Sequence, residues 1–380
     1  MKSKIVYILG AGFSKECDAP SQEELVKKIF EIHSHHSNVF SQDKINRFKR
    51  VLENTYGIPS ELQESIPLED IFTPLDRCLA DNISFRNLNF NQIKKFRSLV
   101  YELIGKALEH LLTSSEKEYV NHFANYLIKS ASSRRDNNYS DNDPLSVIST
   151  NWDILLDNSI HNNIRVLDQD AVVDYCCYIS SFEKDDDTIK PGLEVLGRGG
   201  FNVKLLKLHG SLNWLQCPRC QRLYVKFNSK IGMDPYSDIE KPTCRHCDKN
   251  FGKQDDSHNL VSNLIMPTFL KDLTNPQYKI IWQNAGIELS EAKRIVFIGY
   301  SLPASDFEMR QLLSRMVGTD TEIEVVDYKS DKDNGDNFKA VISRYKQFFG
   351  REILGHEKGA KHYVMNNIVS LPISMALDGR

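Results

Sequence analysis

The sequence predicts an α/β protein, with a parallel sheet interrupted by a helical insertion and by a small metal-stapled module. Three observations carry this. Short β-branched and aromatic runs (4–9, 145–150, 203–208, 294–298 and 322–327) recur between stretches of helical periodicity, as buried parallel strands do. The first run ends on Gly10-Ala11-Gly12, with a helix start close behind. Two Cys-x-x-Cys pairs stand 23 residues apart in the middle of the chain.

The totals bound the rest. At 380 residues the chain suits one large domain with insertions, or two domains. Hydrophobic residues at 41% and charged residues at 26% are ordinary for a soluble globular protein. A net charge of -3 excludes a generally basic surface, so no direct nucleic-acid binding is expected. The local clusters Lys94, Lys95, Arg97 and Arg134, Arg135 read as solvated faces. The first residues make neither a signal peptide nor a membrane span, and no run approaches roughly 20 apolar residues. A cytoplasmic protein without a membrane partner is expected. There, cysteines serve as metal ligands or core residues rather than disulfides. Cys17, Cys78, Cys176 and Cys177 lack ligand spacing and read as small buried hydrophobes.

In order, Lys4–Leu9 is a strand, and Gly10-Ala11-Gly12-Phe13-Ser14 is a turn. Ser21-Gln22-Glu23-Glu24 is a capping-box pattern ahead of Leu25, Val26, Ile29, Phe30 and Ile32, which share a helical face. Strand, glycine turn and helix make the entry unit of a Rossmann-like fold, where close backbone approach to a diphosphate needs residues without side chains. The third glycine of the dehydrogenase fingerprint is missing, so this motif alone is weak. Residues 22–130 are mostly helical, as in Phe96–Leu112, and too long for a simple crossover. The expected boundaries are 1–21 and 144–380 for the sheet domain, 22–143 for the helical insertion, and 215–252 for the small module. Residues 130–143 and 183–200 read as surface loops. The run Asp185-Asp186-Asp187 falls in the second and reads as solvated, not as a nuclease metal site.

The strand at 145–150 ends on Asn151-Trp152-Asp153, where an open α/β sheet puts its ligands; a helix cap is the competing reading. The strand at 203–208 ends on His209-Gly210, either a base or a buried strand-end histidine. Late in the chain, Ile298-Gly299-Tyr300-Ser301 is a second strand–glycine turn, and Asp327 closes the last strand as a ribose ligand or a loop cap. Cys217, Cys220, Cys244 and Cys247 predict a closed, all-thiolate zinc site with a structural role.

Taken together, G-A-G-F-S (10–14), S-T-N-W-D (149–153), L-H-G (208–210), the paired C-x-x-C and I-G-Y-S (298–301) resemble the sirtuin family. The closer similarity is to its prokaryotic sirtuin-like branch in anti-phage defence. The resemblance covers roughly 1–20 and 144–330. It implies a sirtuin-type Rossmann-like NAD-binding domain with a small zinc-ribbon domain. It also implies that Gly10, Ala11, Gly12, Phe13 and Ser14 hold the cofactor diphosphate. Ser149, Asn151 and Asp153 match the T-x-N-x-D motif, with serine replacing threonine. His209 matches the family histidine, Gly299 and Ser301 the late turn, and Asp327 the ribose contact. One departure stands out. Sirtuin deacylases continue with G-I-P-x-F-R, whereas this chain reads Cys17-Asp18-Ala19-Pro20-Ser21 and lacks the Phe-Arg pair.

That departure turns the expectation from peptide deacylation to hydrolysis of NAD+ as substrate, with Asn151 orienting water and ribose and His209 as general base. A non-catalytic NAD or ADP-ribose sensor is the other alternative. The resemblance also implies self-association into a homo-oligomer and a separately encoded partner such as a HerA-type ATPase.

Overall fold

The computed structural model describes residues 4–36, 38–112, 117–135, 143–167, 171–184, 189–190, 192–228, 242–252, 256–266, 271, 273–330 and 335–368. Strand β1 (Ile5–Leu9) leads into a short helix, α1 (Ala11–Lys15). Helices α2 (Leu25–His35), α3 (Gln42–Asn54), α4 (Leu68–Asp81), α5 (Phe90–Leu112) and α6 (Glu118–Ser132) precede the next strand. The chain continues with β2 (Leu145–Ser149), α7 (Leu155–Leu167), β3 (Ala171–Asp174), β4 (Ile179–Ser181), α8 (Gly192–Gly197) and β5 (Phe201–Lys207). Next come β6 (Gly210–Gln216), β7 (Leu223–Val225), α9 (Arg245–Phe251) and β8 (Val261–Leu264). Then follow α10 (Pro276–Glu291), β9 (Arg294–Ile298), α11 (Phe307–Met316), β10 (Glu322–Val326), α12 (Asp336–Phe349), β11 (Leu354–His356) and α13 (Gly359–Tyr363), which runs into a π-helical turn at Val364–Ile368.

The expected α/β architecture is present. A seven-stranded sheet runs β11-β10-β9-β1-β2-β5-β3, and its strand pairs are parallel. Val6, Tyr7, Ile8 and Leu9 are all buried, because helices cover both faces of a central parallel strand. The register aligns the strand ends. Leu9 pairs with Ser149 on one side and Ile298 on the other, Ser149 with Lys207, and Ile298 with Val326. The carboxyl ends of β1, β2, β5, β9 and β10 are therefore level, and the turns after them share one edge.

Local sequence explains the main helix starts. Asn275 caps α10 by accepting from Gln277 N (2.9 Å), with Pro276 at the first position, where its missing N–H costs nothing. Glu24 reaches back to Ser21 N (2.8 Å), the acidic half of the expected capping box. Helices α2–α5 share an apolar core of their own with Trp152, Leu212 and Leu264, whereas α6 packs on the large sheet beside Tyr7 and Phe13.

Two features differ from the sequence reading. The stretch 183–200 contains α8, where Val195 is buried and the helix lies beside β3 and β5, so it is not wholly a surface loop. Within 130–143, α6 continues to Ser132; residues 136–142 and Asp185, Asp186 and Asp187 lie outside the described residues. The short strands β3, β4, β7, β8 and β11 were beyond the periodicity signal. Among the described residues, no helix is long and apolar enough to cross a membrane.

The chain changes sheets at His209. Strand β5 ends at Lys207, and β6 starts at Gly210 in a second sheet ordered β4-β7-β6-β8. Gly210 makes that corner with φ +77°, and an added Cβ would run into the Asn263 carbonyl. No other residue fits there.

Candidate functional site

At the level edge of the large sheet, the turn after β1 packs on the turn after β9. Gly10 N donates to Ile298 O (3.1 Å) and Gly12 N to Gly299 O (2.9 Å). A Cβ on Gly10 would sit 2.5 Å from Gly299 O, and one on Gly12 would sit 2.6 Å from Gly299 Cα. Gly299 itself has φ +62°. The glycines thus let one main chain lie directly on another. With Phe13 N bonded to Gly10 O (2.9 Å), three of the turn's N–H groups are occupied within the protein. Among the described residues, Ala11 N–H has no partner. Phe13 points into the core, edge-on to Tyr119 with ring centres 5.6 Å apart, so its ring faces away from the sheet edge.

Across from this turn, the end of β2 supplies polar side chains. Asn151 Nδ2 donates to Gly10 O (2.9 Å) and to Ser14 Oγ (3.2 Å), and Ser14 Oγ donates to Asp153 Oδ2 (2.8 Å). Asn151 N donates to Ser149 Oγ (3.2 Å), which fixes the backbone that presents the amide. Asp153 Oδ1 accepts from Leu155 N (3.1 Å), so it also caps the first turn of α7. The helix-cap role therefore falls to Asp153, while the Asn151 amide bonds back to the turn after β1. Burial raises the Asp153 pKa, and the nearby Lys207 charge and the Ser14 hydroxyl oppose that rise.

Lys207, which sequence reasoning passed over as an ordinary strand residue, is buried at this edge. Its ammonium donates to Asp153 O (2.6 Å) and Asp157 Oδ2 (3.1 Å), and Tyr175 Oη donates to Asp157 Oδ1 (2.8 Å). Its signal was a lysine between Leu206 and Leu208 at the end of a largely apolar strand, which must find an anion when buried.

His209 is brought to the same edge but faces another way. It is 4% exposed, and its Nε2 lies 3.7 Å from Asp306 Oδ1, an ion-pair separation too long for a hydrogen bond. Asp306 also accepts from Lys271 Nζ (2.8 Å) and Tyr300 Oη (2.7 Å). Burial pushes its carboxyl up, but His209 and Lys271 outweigh that and hold it well below the usual carboxylate range. Among the described residues, no hydrogen bond or ion pair joins His209 to Asn151. Nothing local in the sequence marks Asp306 or Lys271, because Asp306 stands 97 residues from His209 and 35 from Lys271.

The remaining expected residues sit at the rim. Ser301 is exposed, with its carbonyl taken by Arg344. Asp327 Oδ1 accepts from Tyr328 N (2.8 Å), the loop-cap role; burial raises its pKa, opposed by that bond and then by Lys15 and Arg344. Between the turn and β2 lies a cleft of about 50 Å³, lined among others by Ala11, Ser14, Pro20, Asn151 and Asp153. The larger described cleft, about 780 Å³, is elsewhere, between α3, α5 and the small sheet.

The cysteines form the second centre. Cys217 and Cys220 stand in the turn between β6 and β7, and Cys244 and Cys247 at the start of α9. Their sulfurs lie within 4.8 Å of one another, with Cys217–Cys247 at 3.8 Å and Cys220–Cys244 at 3.7 Å. A tetrahedron of Zn–S bonds of about 2.3 Å has edges of about 3.8 Å. The four residues fit a zinc ion as placed, and Leu215, Tyr224 and Leu260 pack around them.

No family model matches the chain, and no curated protein matches it. Among solved structures, "Structure of Sir2Tm bound to a propionylated peptide" is similar over 95% of this chain and 90% of that one, at 12% sequence identity and a TM-score of 0.37.

Proposed function

We propose that this chain hydrolyses NAD+ at the nicotinamide–ribose bond, giving nicotinamide and ADP-ribose. One observation carries the reading: Ser14, Asn151 and Asp153 are hydrogen-bonded into one group at the carboxyl ends of two adjacent parallel strands. That is where open α/β sheets hold nucleotides. Asn151 uses its amide nitrogen on Gly10 and Ser14, and among the described residues its Oδ1 has no partner. Oδ1 is thus the acceptor that would orient a water or a ribose hydroxyl.

In the proposed step, the C1′–N bond breaks and nicotinamide leaves with the electron pair. The water oxygen bonds to C1′, and its proton passes to a base. His209 is our candidate base, worth about 10²- to 10⁴-fold; its ring now faces Asp306, which would stabilise its protonated form, so it must turn toward the water as the cleft opens. The step is mostly one of positioning and charge stabilisation. Zinc at the four cysteines would hold the small sheet in place and takes no part in it.

The cleft beside Asn151 is far smaller than the roughly 300 Å³ and more that an organic ligand of this size needs. Substrate entry therefore requires the turn after β1 to move away from β2. This supports the further proposal that the isolated chain is restrained; that it acts in anti-phage defence once opened is proposed from the motif resemblance alone. The opener would be a second copy in a homo-oligomer or a separately encoded partner such as a HerA-type ATPase.

The test measures NAD+ loss and ADP-ribose formation by the purified protein, alone and with a HerA-type ATPase as the candidate partner. Asn151→Ala and His209→Ala should each lower turnover by about 10²-fold or more. Undiminished turnover in both variants removes them from the mechanism. Acetylated ADP-ribose formed from an acetyl-lysine peptide would instead favour deacylation.

A further inference from the structure

The larger described cleft carries chemistry that the proposed reaction leaves unused. It holds about 780 Å³ between α3, α4 and α5 on one side and β8 with the start of α10 on the other. This is the size of a small-molecule site. Six basic and three acidic side chains line it among the described residues, in a chain whose net charge is -3. The local sign is opposite to that of the whole molecule.

Pairing sharpens the imbalance. Asp76 is held by Arg97 (2.6 Å), and Glu102 by Lys44 (2.8 Å) and Lys106 (2.9 Å). Lys271 is engaged by Asp306 and Glu308. Among the described residues, Arg47 and Lys95 have no carboxylate partner, and Lys94 only lies over the Phe90 ring, 4.4 Å from its centre. Asp43 is the remaining acidic group at the rim. The cluster Lys94, Lys95, Arg97, read from sequence as a solvated face, is one wall of this cleft.

The opposite wall is made of neutral hydrogen-bonding groups beside apolar ones. Asn263 and Asn275 are each 4% exposed, and both donate to Gln216 Oε1. Ser262 Oγ is buried there and has no hydrogen-bond partner among the described residues. Val261, 37% exposed, and Leu99 give the apolar part. A polar wall, an apolar strip and an unpaired cationic wall match a ligand with an anionic end and an apolar or aromatic body.

We infer that this cleft binds a small phosphate-bearing molecule with an aromatic body, a nucleotide by chemical class, at a site separate from Asn151. The phosphates face Arg47, Lys94 and Lys95; the body lies against Val261 and Leu99. The contact is partly screened by solvent, so binding weakens as salt rises.

Calorimetric titration of the full chain with ATP, adenosine and inorganic tripolyphosphate tests this. ATP should bind tighter than either of the other two. The exposed double variant Lys94→Glu/Lys95→Glu, with melting unchanged, should weaken ATP by roughly tenfold or more. Asn151→Ala should leave that affinity as it is. Three results overturn the proposal: no ATP binding at low salt; ATP binding that survives charge reversal or is lost in Asn151→Ala; and tripolyphosphate binding as tightly as ATP, which would mark a simple anion patch.

Discussion

The cysteine quartet and the strand-end group are built in opposite ways. Two knuckles separated by 23 residues make the first, and its sulfurs already stand at the spacing a metal requires. The second gathers residues from the ends of β1, β2, β5 and β9, and its groups are bonded to one another, with little open volume. One site is prepared for its ligand as it stands. The other must give up contacts to admit one. The difference accords with the proposed roles, a stapling metal at the quartet and a substrate at the strand end.

The largest expected effect breaks the quartet. The core around it is small: Leu215, Tyr224, Leu260 and the cysteines themselves. Such a core does not hold without its staple, and binding a structural zinc is worth about 10 kcal/mol or more to a module of this kind. Stripping the metal with a strong chelator should melt the cysteine-bearing end of the small sheet, the β6–β7 turn with α9, while Trp214, Leu223 and Val225, which pack into the large core, and the seven-stranded sheet stay folded. Calorimetry should then show an early loss of one transition and retention of the other. A melting profile indifferent to chelation, in protein that carries stoichiometric zinc, removes the stapling role.

The strand end breaks differently, through backbone rather than ligand. Gly299→Ala places a methyl group against the main chain of Gly12, at a φ of +62°. Neither turn can shift without dragging β1 or β9. Overpacking and the left-handed backbone together should cost about 3–5 kcal/mol by urea denaturation. Loss of under about 1 kcal/mol would mean that the two turns separate easily. The cleft would then be readier for a substrate than its volume implies.

The same contrast governs what the sequence reveals. Cysteine spacing is local, so the quartet was legible from two short motifs. The central strands were legible too, because burial on both faces writes itself as unbroken apolar runs such as Ile5–Leu9. The strand-end group was legible only as separate pieces; that Asn151 would bond Ser14, rather than His209, depends on a register set 137 residues apart. Lys207, Lys271 and Asp306 escaped because a buried ion pair is a tertiary event, and nothing next to a lysine in sequence names its partner. The short strands β4, β7 and β8 are three or four residues long, too brief for a period to show.

The smallest effect separates charge from metal at the seam between the two sheets. Asp306 is faced by His209 at 3.7 Å, by Lys271 at 2.8 Å and by the Tyr300 hydroxyl at 2.7 Å. Burial opposes its ionisation, but the two cations win, so its folded pKa lies below the unfolded value of about 3.9. A depressed carboxylate contributes stability that is fully present above the unfolded pKa and is lost as pH falls through the folded one. Asp306→Asn keeps the shape and the Tyr300 bond and removes the charge, leaving Lys271 to Glu308 (2.9 Å). The variant should be less stable than the parent by about 2 kcal/mol at pH 7, the worth of hydrogen bonds to a charged group. That gap should hold down to about pH 4 and shrink below it. Acid also protonates the zinc thiolates, but it does so equally in both proteins, so the difference between them isolates the seam. A gap of constant size down to about pH 3 would mean that Asp306 holds His209 through shape alone, leaving the quartet as the acid-sensitive member of the pair.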